Sequence, residues 1–450
     1  MEKRYYPQFH IAPDSGWLND PNGTCFFDGT FHVFYQHASS AKGGLKSWGH
    51  TFSKNLLDWK DTGDALFPDT KDDKDGAYSG GAFLDDGELE VFYTGNVKHA
   101  GNFDYINEGR GHNVIRAWGF DGKTFTKKET ILTNDDYPSS LSCHVRDPKV
   151  WKVGNEYFML LGARTKKSHA ALLLLKSCDK KTWKTAKLYE PKDDFGYMLE
   201  CPDFFTLNGK SFLSFCPQGI PSQSGTGKFQ NVYHSGYVSI ESEAQNALLD
   251  EKIDDFVRKE NFLEWDKGFD FYAPQTFALG DGRFALIGWA GVPDAPYTNE
   301  ASIREGWQHS MTLIRELTLC ADGSILQNPL KEFDSLRKNK IEIKAGEKTK
   351  VKTMFDATIQ MNGNGRILFD NSLEIKAETG VLSLEFLDKT GEGRKKRTAF
   401  SKAENLRMIF DRSILEIFAD GGKTVFTTRW YPLSQEIQIE STQNVLLWEI

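Results

Sequence analysis

The chain has 450 residues, a formal net charge of −8, and 26% charged against 39% hydrophobic residues, which describes an ordinary globular protein of two or three domains. No basic domain is present to meet a polyanion, no window reaches the roughly 18 apolar residues of a membrane-spanning helix, and the opening MEKRYYPQFHIAPDSGW has no secretory apolar run. The expectation is a cytoplasmic protein with neither a nucleic-acid nor a membrane partner. Its six scattered cysteines, without CxxC spacing, read as reduced thiols rather than disulfides or a zinc site.

In chain order, the first motif is GWLNDPNGTCFF, residues 16 to 27. A residue before proline is pushed toward extended geometry, and Pro-Asn-Gly favours a turn. Asp20 is therefore expected on a stiff corner between an extended segment and a turn. The same local grammar recurs. NDPNGTCFFDGTFHVFYQ from Asn19, YSGGAFLDDGELEVFYTG from Tyr78, RDPKVWKVGNEYFMLLGA from Arg146, ECPDFFTLNGKSFLSFCP from Glu200 and YAPQTFALGDGRFALIGW from Tyr272 each read as a β-hairpin. Each has a polar opening, a short apolar strand, a Gly/Asp/Asn turn and an alternating aromatic strand. Further strand-like runs lie between them, such as WGHTFSKNLLDW and HAALLLLKS, so each unit has room for about four strands. Five such units predict a five-bladed β-propeller; the competing reading is a large sandwich or barrel. Residues 241–265 break the pattern and read as helix or long loop.

After GWQHSMTLIREL the repeats stop. In NPLKEFDSLRKN, Asn328 suits an N-cap, Pro329 the first helical position, and Leu330, Phe333 and Leu336 recur at helical spacing. Beyond residue 340 only short alternating strands follow, the pattern of a β-sandwich. The expected architecture is thus all-β: a propeller over 1–325, a linker with a short helix over 326–340 and a β-sandwich over 341–450. The basic run Arg394–Arg397 reads as a solvated loop entering a strand.

A propeller brings the first strand of every unit to one channel. The opening residues would then converge: Asp20, Ser79, Asp147, Glu200 and Tyr272. Three acids from three units in one mouth is the chemistry of a glycosidase, which needs an acid for the leaving oxygen and a carboxylate for the sugar. Trp17 and Trp48 offer flat apolar faces to a sugar ring. No His/Asp cluster has metal spacing and no Gly-rich phosphate loop occurs, so no cofactor and no metal is expected.

These motifs carry a resemblance. The chain resembles glycoside hydrolase family 32, which includes invertases, sucrose-6-phosphate hydrolases and fructan hydrolases. The matching segments are WLNDPNG, FYQ, WGHTFSKNLLDW, YSGGAF, RDP, ECPDFF, FDFYAPQTF and GWQHSMTLIREL, followed in the tail by SILEIFADGGKTVFTTRWYP. The resemblance covers nearly the whole chain. It implies Asp20 as nucleophile and Glu200 as general acid/base, with Asp147 holding fructose hydroxyls and stabilising the transition state. It implies sugar contacts at Asn19, Gln36, Trp48, Tyr78, Ser79 and Arg146. Leu18, Tyr78 and Gly81 depart mildly from the family's Met, Phe and Ser.

The expected activity is retaining hydrolysis of the fructosyl bond of sucrose, sucrose-6-phosphate or a short fructo-oligosaccharide. Fructosyl transfer by the same residues, a non-catalytic sugar-binding propeller and an inverting arabinan or xylan hydrolase are the alternatives. A sugar phosphate would want Lys or Arg at the mouth, with Lys46, Lys98, Arg110 and Arg164 as candidates. The oligomeric state is not readable from the sequence.

Overall fold

The structure is a computed structural model that describes residues 3–225, 227–241, 247–250 and 252–450. Residues 16–329 build five sheets, and antiparallel pairing joins the consecutive strands of each. The first sheet contains Gly16–Phe27, Thr30–Ala38, Ser47–Ser53 and Lys60–Leu66, and the second Ala77–Asp85, Glu88–Lys98, Arg110–Phe120 and Phe125–Leu132. The third contains Leu141–Val153, Glu156–Thr165, Ala170–Ser177 and Lys184–Tyr189. The fourth has Met198–Leu207, Lys210–Gln218, Gly236–Ile240 and Leu263–Glu264, and the fifth Tyr272–Ala278, Phe284–Trp289, Arg315–Leu319 and Ile325–Pro329. The first strand of each sheet touches the first strand of the next, and the fifth touches the first, which closes a ring. Trp307–Gln308 adds a parallel strand to the first sheet, with Gly16 opposite Trp307, and so ties the end of the ring to its start.

Each sheet is buried on both faces, and the period of two along a strand divides its side chains between two neighbours. In the third sheet Leu160, Leu172 and Leu174 pack against Leu213 and Phe215 of the fourth. The alternate residues Met159, Leu161, Leu173 and Leu175 pack with Phe92 and Val114 of the second. This explains why ALLLL is a continuous apolar run in a strand rather than an alternating one. Similar clusters join the first sheet to the second, the fourth to the fifth and the fifth to the first.

The first strands do not turn at their prolines, as expected for Asp20; they bulge. Pro21, Asn22 and Gly23 continue the Gly16–Phe27 strand, whose register slips between Leu18 and Pro21 and again between Asn22 and Cys25. Matching slips fall at Ser79, at Asp147–Pro148, at Cys201–Pro202 and at Ala273–Pro274. In the last three, the residue before proline has left-handed backbone: Asp147 at φ 63°, Cys201 at 46° and Ala273 at 47°. A bulge re-aims the side chains around it, and here it does so at the ring's inner strands.

Residues 338–449 form two six-stranded sheets. In order of pairing, the first is Lys338–Ile343, Val445–Glu449, Met354–Gln360, Asn405–Asp411, Ile414–Ala419 and Thr424–Arg429. The second is Lys348–Lys352, Glu436–Ser441, Gly365–Phe369, Leu373–Glu378, Val381–Phe386 and Lys396–Phe400. Their inner faces share one core that includes Phe355, Phe410 and Ile417 from one sheet and Ile367, Phe369 and Leu384 from the other.

Two local expectations are corrected. Asn328 and Pro329 lie in the Ile325–Pro329 strand, where Pro329 pairs with Arg315; the helical turn is a 3₁₀ segment, Lys331–Leu336, that starts two residues later. Arg394 is no solvated loop residue: it is 2% exposed and donates two hydrogen bonds to Asp270, while Arg397 stacks over Phe269. The helix-or-loop reading of 241–265 falls partly outside the described residues. What is described there is a 3₁₀ turn Ala247–Leu249, a short helix Ile253–Phe256 and the strand Leu263–Glu264.

Candidate active site

The bulges open onto a cleft of about 410 Å³ lined by Trp17, Asn19, Asp20, Gln36, Tyr78, Ser79, Arg146, Asp147, Glu200 and Tyr272 among others. The residues expected to act on or hold the sugar all line it except Trp48, and of the four candidate phosphate cations Lys46 and Arg110 line it while Lys98 and Arg164 do not. The Trp48 side chain is fully buried between the first two sheets and donates its indole N–H to the carbonyl of Tyr78 (3.0 Å). Trp48 therefore supports the wall from behind, and only Trp17 offers its face to the cleft.

The three acids do not occupy one repeat position. Asp20 and Asp147 sit in the slipped part of their strands, immediately before a proline, whereas Glu200 and Tyr272 are the last paired residues before the slip and match Arg146. The counterparts of Asp147 in the fourth and fifth sheets are Cys201 and Ala273. The bulge brings both positions to the cleft, so two successive residues of a strand face one space.

Asp20 is held by side-chain donors. Ser79 Oγ donates to its Oδ2 (2.5 Å), Gln36 Nε2 reaches the same oxygen at 3.4 Å, and Asn19 Nδ2 donates to Oδ1 (3.2 Å). Gln36 also donates to the Ser79 hydroxyl, which fixes the direction of that hydrogen bond, and Trp17 Nε1 fixes the Asn19 amide (2.9 Å). Burial raises the Asp20 pKa; the Ser79 bond opposes it, and the nearby Glu200 charge adds to it.

Glu200 accepts from Arg146 on Oε1 (Nη2 at 2.5 Å, Nε at 3.1 Å), and from Gln218 (2.7 Å) and Tyr272 (2.8 Å) on Oε2. Arg146 is in turn set by His144, whose Nδ1 accepts from Nη1 (2.6 Å) while its Nε2 donates to the Tyr105 carbonyl (3.0 Å). A guanidinium can only donate and a carbonyl can only accept, so His144 is neutral with its proton on Nε2. Burial, then the Arg146 charge, push its pKa down to about 3.

A guanidinium beside an aspartate favours the charged carboxylate, and at Asp147 burial outweighs that influence. Arg146 pairs with Glu200 and stays 4.0 Å from Asp147. Burial pushes Asp147 up to about 7 despite Arg146, with the Glu200 charge adding to the rise. Asp147 accepts from the backbone N–H of Cys201 (2.9 Å), and its own N–H donates to Thr94 (2.9 Å).

Lys46 stands 4.9 Å from the Trp17 ring; burial lowers it to about 8 and the Asp20 charge works against that. The remaining lining residues are Arg110, His144, Gln218, Trp289, Pro293 and Asp294. Sequence reading had not singled out His144, Gln218, Trp289 or Asp294. Register held the signal for two of them: His144 shares a strand face with Arg146, and Trp289 is the cross-strand partner of Tyr272. All six cysteines are free, and Cys201 Sγ lies 3.9 Å from Asp20. Among the described residues no group of three His, Cys, Asp or Glu side chains is arranged to hold a metal ion.

A ring of sheets with three acids gathered in one cleft, among donors that orient them, defines a glycoside-hydrolyzing enzyme. The chain belongs to glycosyl hydrolases family 32: the profile of that family's N-terminal domain matches residues 10–329 and that of its C-terminal domain residues 365–446. Sucrose-6-phosphate hydrolase of Vibrio alginolyticus is 35% identical over 96% of this chain and 87% of its own length, and that of Bacillus subtilis is 33% identical over 98% and 93%. Among solved structures, the Bombyx mori GH32 β-fructofuranosidase BmSUC1 superposes with a TM-score of 0.85 at 29% identity, covering 100% of this chain and 95% of its own. A sucrose-6-phosphate hydrolase from Lactobacillus gasseri gives 0.84 at 28% identity, covering 99% and 93%.

Proposed function

We propose that this enzyme is a retaining β-fructofuranosidase that hydrolyses the terminal fructosyl bond of sucrose, sucrose-6-phosphate or a short fructo-oligosaccharide. The observation that carries the reading is the division of labour in the cleft. Asp20 is gripped by Ser79, Gln36 and Asn19 with its carboxylate aimed among hydroxyl and amide donors, the setting of an ionised nucleophile. Glu200, across the cleft's bonding network, is steered by Arg146, Gln218 and Tyr272. Glu200 delivers a proton to the bridging oxygen as the bond from that oxygen to the anomeric carbon breaks, the other sugar leaves as an alcohol, and Asp20 forms a bond to the anomeric carbon. Water, deprotonated by Glu200, then releases fructose from Asp20. Asp147, anchored by the backbone N–H of Cys201 and by the Thr94 hydroxyl, holds fructose hydroxyls as positive charge develops on the ring. Asn19, Gln36, Tyr78, Ser79, Arg146, Tyr272 and the face of Trp17 complete the sugar site.

The same proposal takes the five sheets as the blades of one propeller, supported by the closed ring of first strands. It takes residues 1–325 as the catalytic domain, 326–340 as linker and 341–450 as a β-sandwich domain. No helix among the described residues is long and apolar enough to cross a membrane; a cytoplasmic address is part of the proposal.

The test is the anomer released first, together with two variants. NMR before mutarotation should show β-fructose; α-fructose would make Asp20 a base acting through water. Asp20→Ala should lose several orders of magnitude on every fructoside. Glu200→Ala should lose as much on sucrose yet keep most of its rate of fructosyl release from a nitrophenyl fructoside, whose leaving group needs no proton. Equal losses on both substrates would refute the acid assignment.

A further inference from the structure

The cations at the cleft's mouth fall on two sides. Lys46 is on the side of Asp20, over the Trp17 ring. Arg110 and Arg164 are on the other side, beyond Arg146. Arg110 lines the cleft and donates to Asn96 (2.9 Å) and, more weakly, to His112 (3.4 Å). Arg164 lies two residues past Gly162, the cross-strand partner of Arg146, and stacks over Tyr197 at 4.6 Å, just ahead of the strand that carries Glu200. It donates a hydrogen bond to the Ser168 hydroxyl (3.0 Å). Among the described residues neither arginine forms an ion pair, unlike Arg146, and the buried Nε of each has no acceptor. His112 Nδ1, in the same wall, is also buried without a partner.

Between the two arginines stands His144, a neutral ring locked by Arg146 and Tyr105. His144 packs edge-on against His112, the neighbour of Arg110, at 5.3 Å, and Arg164 lies opposite it in the strand pairing, between the pairs Ala163–Val145 and Thr165–Leu141. The mouth's acid, Asp294, is held by the Tyr233 hydroxyl (3.0 Å). Two unneutralised guanidiniums, each with N–H groups left over, form a built receptor for a dianion; a guanidinium's fork matches phosphate geometry.

We infer that Arg110 and Arg164 are specificity-determining residues that bind the phosphate of a phosphorylated leaving sugar. The inference rests on the reading of Glu200 as the acid. The leaving group must lie on the acid's side of the bond, and that is the side of Arg110 and Arg164. Lys46, beside the nucleophile, then faces the fructosyl half and is excluded as the phosphate ligand. Of the four cations legible in the sequence, Lys98 is excluded as well: it is exposed and lies near the Asp75 carboxylate, whereas Arg164, also outside the cleft's lining, is half-buried over Tyr197 and forms no ion pair among the described residues.

The experiment measures kcat/KM for sucrose-6-phosphate and sucrose on wild type, Arg110→Ala, Arg164→Ala, Arg110→Lys and Lys46→Ala. Thermal midpoints check that each variant is folded. The ratio of the two kcat/KM values should favour the phosphorylated sugar in wild type. It should fall about 10- to 100-fold in each alanine variant, mostly through KM, as expected for loss of a hydrogen bond to a charged group. Arg110→Lys should recover part of the ratio, and Lys46→Ala should leave it within about threefold. Glucose 6-phosphate should inhibit wild type more tightly than glucose, and Arg164→Ala should narrow that gap. An unchanged ratio in both alanine variants, or a collapse confined to Lys46→Ala, overturns the assignment. A wild type that cleaves both sugars without discrimination overturns the subsite while leaving the fructosidase reading intact. A wild type that cleaves neither overturns that reading itself.

Discussion

Ser79 is the smallest group in the catalytic network and the most consequential for its acidity. Its hydroxyl accepts from Gln36 and so has only one direction left in which to donate, toward Asp20. That bond favours the charged carboxylate, against burial and the Glu200 charge, both of which raise its pKa. Ser79→Ala removes the largest opposing influence, leaving the weaker ones of Asn19 and Lys46 against the raising ones, so the Asp20 pKa climbs further. The acid limb of kcat/KM in wild type is expected to lie above the ordinary carboxylate range. In Ser79→Ala it should move to still higher pH, with kcat at the optimum down about 10- to 100-fold. A pH–rate profile from pH 3 to 9 checks both. An acid limb that stays in place would separate Ser79 from Asp20. The same residue scale shows what sequence could not supply. RDP reads as an arginine serving its neighbouring aspartate, yet Arg146 reaches across to Glu200, and Asp147 is left to burial. Adjacent strand residues ordinarily point apart, and nothing in three letters reveals a bulge that turns both toward one cleft.

The bulge is the device that builds the site at the scale of elements. Three first strands carry the same X-Pro slip, with X left-handed at Asp147, Cys201 and Ala273. Hairpin position and repeat order were legible because Gly/Asp turns and alternating aromatics obey local rules. The slip was not, because a pre-proline residue is ordinarily extended, and only packing around the closed ring makes the left-handed form tolerable. Cys201 tests this. Its backbone N–H holds Asp147, and the residue before it is Glu200. Cys201→Ala can adopt φ near 46° at a modest cost, whereas the β-branched Cys201→Val strongly resists that region. The valine variant should be less stable than the alanine variant by about 1–3 kcal/mol. It should also lose more activity, because flattening the bulge displaces Glu200 and frees Asp147. Thermal melts and kcat/KM on the pair decide it; equal stability would mean that the left-handed residue carries no strain.

At the scale of the whole molecule, the ring and the sandwich are joined by buried charge. Arg315 of the fifth sheet donates to Glu416 of the sandwich (2.7 and 2.9 Å) and to Asp266 (3.1 Å), and the backbone of Phe269 and Asp270 bonds Thr427. The start of the chain joins the same lock: Asp411 accepts the N–H groups of Gln8, Phe9 and His10, and the His10 ring lies between Asp411 (2.9 Å) and Glu416 (3.1 Å), these three side chains without solvent exposure. The division into repeats and sandwich was legible from hairpin spacing, but this lock joins residues some 400 positions apart, and no sequence period encodes it.

It makes stability depend on pH in a defined direction. Burial alone would lower the His10 pKa; the hydrogen bonds its ring donates to Asp411 and Glu416, with their charges, outweigh it and raise the value. A group whose folded pKa is raised gives stability that is fully present below its unfolded value of about 6.5 and is lost as pH rises through the folded value. Asp147 also loses stability on deprotonation, but between the ordinary carboxylate range and about 7, so the two windows differ. The thermal midpoint is therefore expected to fall as pH rises above neutrality, and His10→Gln should flatten that upper slope while leaving the Asp147 slope in place. Asp411→Ala, which strips both the ion pair and three backbone acceptor bonds, should cost about 3–5 kcal/mol at every pH in that range. Melts of wild type and both variants from pH 5 to 9 measure all three effects. An upper slope that survives His10→Gln would assign the titration to another group and remove His10 from the lock.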